Sequence, residues 1–104
     1  MSNGRQDRAL TSRWLENDIA ERFIGRRDML VGLWAGEQLG LPEESRTIYA
    51  LQVMAAGMMD PEPNGVVDKI EHDFTEGGVS ISRGRILVQF SKSHRQVAAR
   101  LMAA

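Results

Sequence analysis

The chain has 104 residues, 42% hydrophobic and 26% charged, with a formal net charge of -1 and no cysteine. That length and balance fit one globular domain, and the lack of cysteine excludes disulfides, zinc–thiolate sites and thiol catalysis and favours a reducing compartment. No apolar run reaches the ~18 residues of a membrane span, the polar first residues do not read as a signal peptide, and the near-neutral charge argues against a protein built to grip nucleic-acid phosphate.

Residues 1 to 9 show no apolar periodicity and are expected to be disordered. A helical pattern begins at Leu10 and runs toward Leu39, with Ile19, Phe23, Leu30 and Trp34 as its apolar stripe. Leu10 and Trp14 fall on the opposite side of that stripe. Either the helix breaks before Leu15, or this apolar pair faces outward as a docking element. Gly32 and Gly36 are one turn apart. Two glycines inside a helix cost about 1 kcal/mol each against alanine, which suggests another backbone approaching closely.

Gly40 is placed to end this helix. Pro42-Glu43-Glu44 reads as the first turn of a second, with proline at its start and acids near the positive end of its dipole. Its expected apolar stripe is Ile48, Leu51, Ala55 and Met58, widened by Tyr49 and Val53. Pro61 and Pro63 mark a connection. Asn64 is a candidate cap for a third helix with Val67, Ile70 and Phe74 on one face. Gly77-Gly78 closes it. Ser80 or Ser82 is placed to cap a last helix, whose stripe is Ile86, Phe90, Val97 and Leu101.

Charge divides along the chain. Glu37 to Glu76 hold nine acids against two bases, and from Gly77 onward there are five bases and no acid. A basic last helix packing beside acidic middle helices accounts for this. So does an anion-binding face on the last helix.

Enzymatic chemistry is not legible. His72 is flanked by Glu71 and Asp73, but neighbours on a helix point about 100° apart and do not converge on one ion. Ser91, Ser93 and His94 crowd together without a placed acid or oxyanion hole. No phosphate-binding loop or dinucleotide fingerprint is present. The chain reads as a binding or regulatory protein without a cofactor, not as an enzyme.

The run Arg26-Arg27-Asp28-x-Leu30-Val31-Gly32-x-Trp34-Ala35, followed by Leu39-Gly40 and Tyr49-Ala50-Leu51-x-Val53, resembles the zeta subunit family. These are small regulatory subunits of the F-type ATP synthase of alphaproteobacteria. The family carries Arg-Arg-Asn-x-Leu-x-Gly-x-Trp-Ala, then Leu-Gly, then Tyr-Ala-x-x-Val at like spacing. Pro61, Val67, Lys69 and the stretch Ile70 to Phe74 continue the match, which covers about Ile19 to Glu76.

The resemblance implies an all-α four-helix bundle over residues 15–104, with a long first helix and a mobile N-terminal arm over residues 1–14. It implies ATPase inhibition. The arm becomes helical as it inserts between a catalytic α/β pair and the rotating γ subunit, and Leu10, Arg13 and Trp14 would make that contact. A cytoplasmic protein held peripherally at the inner membrane through the synthase follows, with no direct membrane insertion. The arm is also where this chain departs from the family, whose run reads Arg-x-x-x-x-Lys-Phe-Ala-His-Asp. Here Arg8 and the pair Arg13-Trp14 match in kind, and Glu16-Asn17 replaces His-Asp. Two alternatives remain. One is an adenine-nucleotide sensor with anion contacts at Arg26 and Arg27 or on the basic face of the last helix. The other is a general protein-docking bundle.

Overall fold

The computed structural model describes the backbone of residues 3–60 and 63–103, and the side chains of residues 16, 18–60 and 64–103. The side chains of Leu10, Arg13 and Trp14 lie outside the described residues, as does Pro61. Four helices follow one another: α1 (Asn3–Gln38), α2 (Glu43–Met59), α3 (Pro63–Glu76) and α4 (Arg83–Ala103). Each packs on the next and α4 closes onto α1, while α3 sits across from α1 and barely meets it. The architecture is the all-α, four-helix one expected.

The helix ends follow their local chemistry. Gly40 has φ +76°, the left-handed value that glycine adopts without cost. Leu41 N–H bonds the Gly36 carbonyl at 3.0 Å, and Gly40 N–H bonds Glu37 at 3.0 Å, which satisfies the last carbonyls of α1. Gly78 repeats the motif at the end of α3, where Val79 N–H bonds the Phe74 carbonyl at 2.8 Å. Ser82 Oγ accepts from Arg85 N–H at 3.3 Å and so caps α4. Asn64 is not a cap: α3 begins at Pro63, whose missing N–H suits the first turn, and Asn64 instead accepts from Arg83 at 3.5 Å.

The core combines Val31 and Ala35 of α1, Tyr49 and Val53 of α2, and Val66, Val67, Ile70 and Phe74 of α3 with Ile86 and Phe90 of α4. For α3 and α4 the faces are those read from periodicity, except that Leu101 is 48% exposed. For α1 and α2 they are so only in part: Tyr49 and Val53 are buried and Trp34 is half-buried against the core, but the rest of each stripe is displaced. Ile19 and Leu30 are exposed, and so are Ile48, Leu51 and Met58. The buried faces carry Asp28, Val31, Gly32, Ala35 and Gly36 on α1, and Tyr49, Ala50, Val53 and Gly57 on α2.

The reason is close approach. A Cβ on Gly32 would sit 2.7 Å from the Ala50 Cα, so the backbones of α1 and α2 meet where side chains are smallest. Large aliphatics do not fit that seam and are turned outward. The glycine spacing marked the contact, and the size of the flanking residues misplaced it by nearly half a turn.

Polar ties lock the remaining seams. Tyr49 Oη donates to Asp73 Oδ2 at 2.7 Å, and Lys69 Nζ donates to the same oxygen at 3.0 Å. Burial and that carboxylate push the Tyr49 phenol well above its usual range. Arg83 joins the start of α4 to α3, with Nη1 at 2.6 Å from Asp68 and 3.5 Å from Glu71. Basic α4 against acidic α3 is therefore realised at this one residue of α4, while Lys92, Arg95 and Arg100 are exposed.

Candidate functional site

The feature that sets this bundle apart is the length of α1. Its 36 residues extend about 54 Å at 1.5 Å per residue, against α2 and α3 at 17 and 14 residues. The molecule accordingly measures 64 × 28 × 27 Å. The helix is unbroken from Asn3 to Gln38, so no break precedes Leu15, and it starts further toward the N-terminus than the pattern from Leu10 suggested.

Glu16 and every residue from Asp18 to Arg22 are exposed. The ends of α4 and α2 reach only its upper part, where Ile19 and Arg22 border Arg100 and Leu101, and Glu21 borders Met58. The pair Asp18–Arg22, with Oδ2 to Nε at 3.2 Å, is a solvent-facing i,i+4 contact of the kind that adds about 0.3–0.5 kcal/mol to a helix. Local bonds therefore support α1 here, not tertiary packing.

The bundle takes hold at Phe23. Its ring meets His94 of α4 edge-on, with centroids 4.8 Å apart and planes at 70°. One turn on, the Arg27 guanidinium lies 4.3 Å from the centre of the Phe90 ring, and its Nε donates to Asp28 Oδ1 at 3.0 Å. Arg27 thus has a stacking partner and a counter-charge, and its side chain is only 11% exposed.

Asp28 itself is buried. Its other oxygen lies where a side chain of residue 57 would stand, and only a glycine at Gly57 leaves it room. Burial pushes the Asp28 carboxyl above the usual carboxylate range, and the charge and hydrogen bond of Arg27 offset this in part. The sequence read Arg26 and Arg27 as a matched pair of anion contacts. The structure separates them: Arg27 turns into the bundle, while Arg26 is exposed and lines the α1–α4 groove with Arg22 and Arg100.

This part of α1 therefore has two sections. Residues 16–22 are a helical strut, exposed wherever its side chains are described. Phe23, Arg27 and Asp28 form a fixed collar against α4 and α2. Neither part assembles a nucleophile with a base, and the arrangement suits holding the helix end away from the body. The collar's use of Arg27 and the burial of Asp28 were not legible in advance, because an Arg-Arg-Asp run on a helix ordinarily faces water.

The family model for ATPase inhibitor subunit zeta matches residues 5–100. No curated protein and no solved structure matches the chain. The chain belongs to the ATPase inhibitor subunit zeta family, whose members are non-catalytic inhibitors. Membership implies the role of an ATP synthase inhibitor and binding to the F-type ATP synthase. Among the described residues no helix is long and apolar enough to cross a membrane.

Proposed function

We propose that this zeta-family chain inhibits ATP hydrolysis by inserting its N-terminal arm, residues 1–14, between a catalytic α/β pair and the γ subunit of the synthase head. Leu10, Arg13 and Trp14 make the contact, and residues 15–104 hold the arm from outside. The protein works in the cytoplasm, held at the inner membrane through the synthase. The observation that carries this reading is the strut over residues 16–22, whose described side chains are all exposed and which only the ends of α2 and α4 reach.

Spacing adds support. Leu10 precedes Asp28 by eighteen residues, about five full helical turns, so the two share one angular position along α1. Within the bundle that face packs on α2. Leu10 and Trp14 continue that face along α1, where a partner would meet it. The nucleotide alternative has less support, because Arg27 is engaged by Asp28 and Phe90.

The test is ATP hydrolysis by the purified synthase head, with the full chain and with a version lacking Met1 to Trp14. Inhibition by the full chain and its loss on truncation, with the same melting temperature for both, is the expected result. A truncated chain that inhibits as well as the full one would overturn the assignment to the arm.

A further inference from the structure

Beside the strut, α1 and α4 enclose a groove that arm insertion does not use. It comprises two cavities of about 240 and 700 Å³ that share Arg26, Val97 and Arg100. Met29, Leu30 and Leu33 supply its apolar floor. Arg22 stands at its lower end. Among the described residues no carboxylate lines either cavity. On this face of α1, Asp18 lies one turn below Arg22 and is paired with it at an exposed position, and Glu37 lies one turn beyond Leu33. Lys92, exposed and one turn from Gln96 on α4, extends the basic row along the groove.

The shape and charge select an occupant. From Arg22 to Leu33 the groove follows twelve residues of α1, about 17 Å, which matches three turns of a third helix. Two packed helices offer a furrow that receives another helix's ridge of side chains. Leu30 is 36% exposed in the absence of any cover. A floor of this kind between arginine walls takes a helix that is apolar on one face and acidic along its edges.

We infer that this groove docks an acidic amphipathic helix of the synthase head, with its apolar face on Leu30 and Leu33 and its carboxylates against Arg26 and Arg100. The inference rests on the proposed function above. It supplies what that function needs, a second point of attachment at the root of the arm. Docking there confines the arm near its own site and raises its effective concentration, so two modest contacts hold together.

The test uses the full chain with Arg26→Glu and Arg100→Glu combined, both exposed, with circular dichroism as the check on folding. Affinity for the purified head is measured at low and at physiological salt. The expected result is a Kd about tenfold weaker at low salt and a flatter dependence on salt than the native chain shows. Arg85→Glu, on α4 about 22 Å from Arg100 and outside both cavities, should bind within about twofold of native. Unchanged affinity and salt dependence in the double variant would overturn the inference alone. So would a native dimer, seen by sedimentation, that the double variant dissolves while head binding persists. Failure of the native chain to bind the head at all would overturn the proposed function and this inference with it.

Discussion

Residues 16–22 and 28–36 belong to one helix and live in opposite conditions. The first stretch is solvated wherever its side chains are described. The second lies so close to α2 that Gly32 has no room for a methyl group. The same α-helical backbone is held by local bonds at one end and by tertiary packing at the other, and helices this long depend mainly on the second. The difference teaches where the molecule is rigid. A tightly fitted half gives α1 a fixed direction, and the exposed half carries that direction outward toward Asn3.

Glycine substitutions break the comparison most sharply, because helix propensity and packing oppose each other. Alanine in place of glycine gains about 1 kcal/mol in a helix interior. At Gly32 the new Cβ would lie 2.7 Å from the Ala50 Cα and 3.0 Å from the Val53 Cβ, and the nearer neighbour is backbone. Overpacking of that kind costs about 1–3 kcal/mol and more where helices must part, so Gly32→Ala should lose about 2 kcal/mol net in urea denaturation. At Gly25 the new Cβ would meet only the Met54 sulfur, at 3.5 Å, an ordinary contact. Gly25→Ala should gain about 0.5–1 kcal/mol by the same measurement. Equal signs for the two would mean that α1 is packed alike along its length.

The two halves of the chain also differed in how plainly the sequence announced them. Val67, Ile70 and Phe74, like Ile86, Phe90 and Val97, are large, apolar and on one helical face, and all are buried. Period and size agree there, so the faces of α3 and α4 were legible. In α1 and α2 they disagree. The contact runs through Gly32, Ala35, Ala50 and Gly57, residues that hydropathy barely weights, while Ile48, Leu51 and Met58 stand in solvent. The signals for the true face were Tyr49 and Val53, read only as widening the α2 stripe, and the spacing of Gly32 and Gly36, which implies a close neighbour without naming it. In the candidate site, Arg26 and Arg27 are adjacent and chemically identical. Only the positions of Phe90 and Asp28 decide that one is enclosed and the other free to meet a partner.

The smallest effect tests the collar between the two halves. Asp28 stands where the family's run carries asparagine, and Asp28→Asn keeps the shape while removing the charge. Burial holds the Asp28 carboxyl above its usual range even with Arg27 beside it, so the native state holds that proton more firmly than the unfolded chain does. Below the unfolded carboxyl's pKa, near 3.8, both states are protonated and the site carries no ionisation cost. As pH rises past that value the unfolded chain ionises first, and stability falls until the native carboxyl has ionised too. Above that point the deficit is constant. Asparagine does not ionise, so Asp28→Asn should melt slightly higher than the native chain at neutral pH, and the gain should fade as the pH approaches about 4. A variant that melts lower at neutral pH would show that the Arg27 charge needs its partner more than the bundle resists it. The collar would then be held by the ion pair, and the neutral residue would loosen the joint between strut and body.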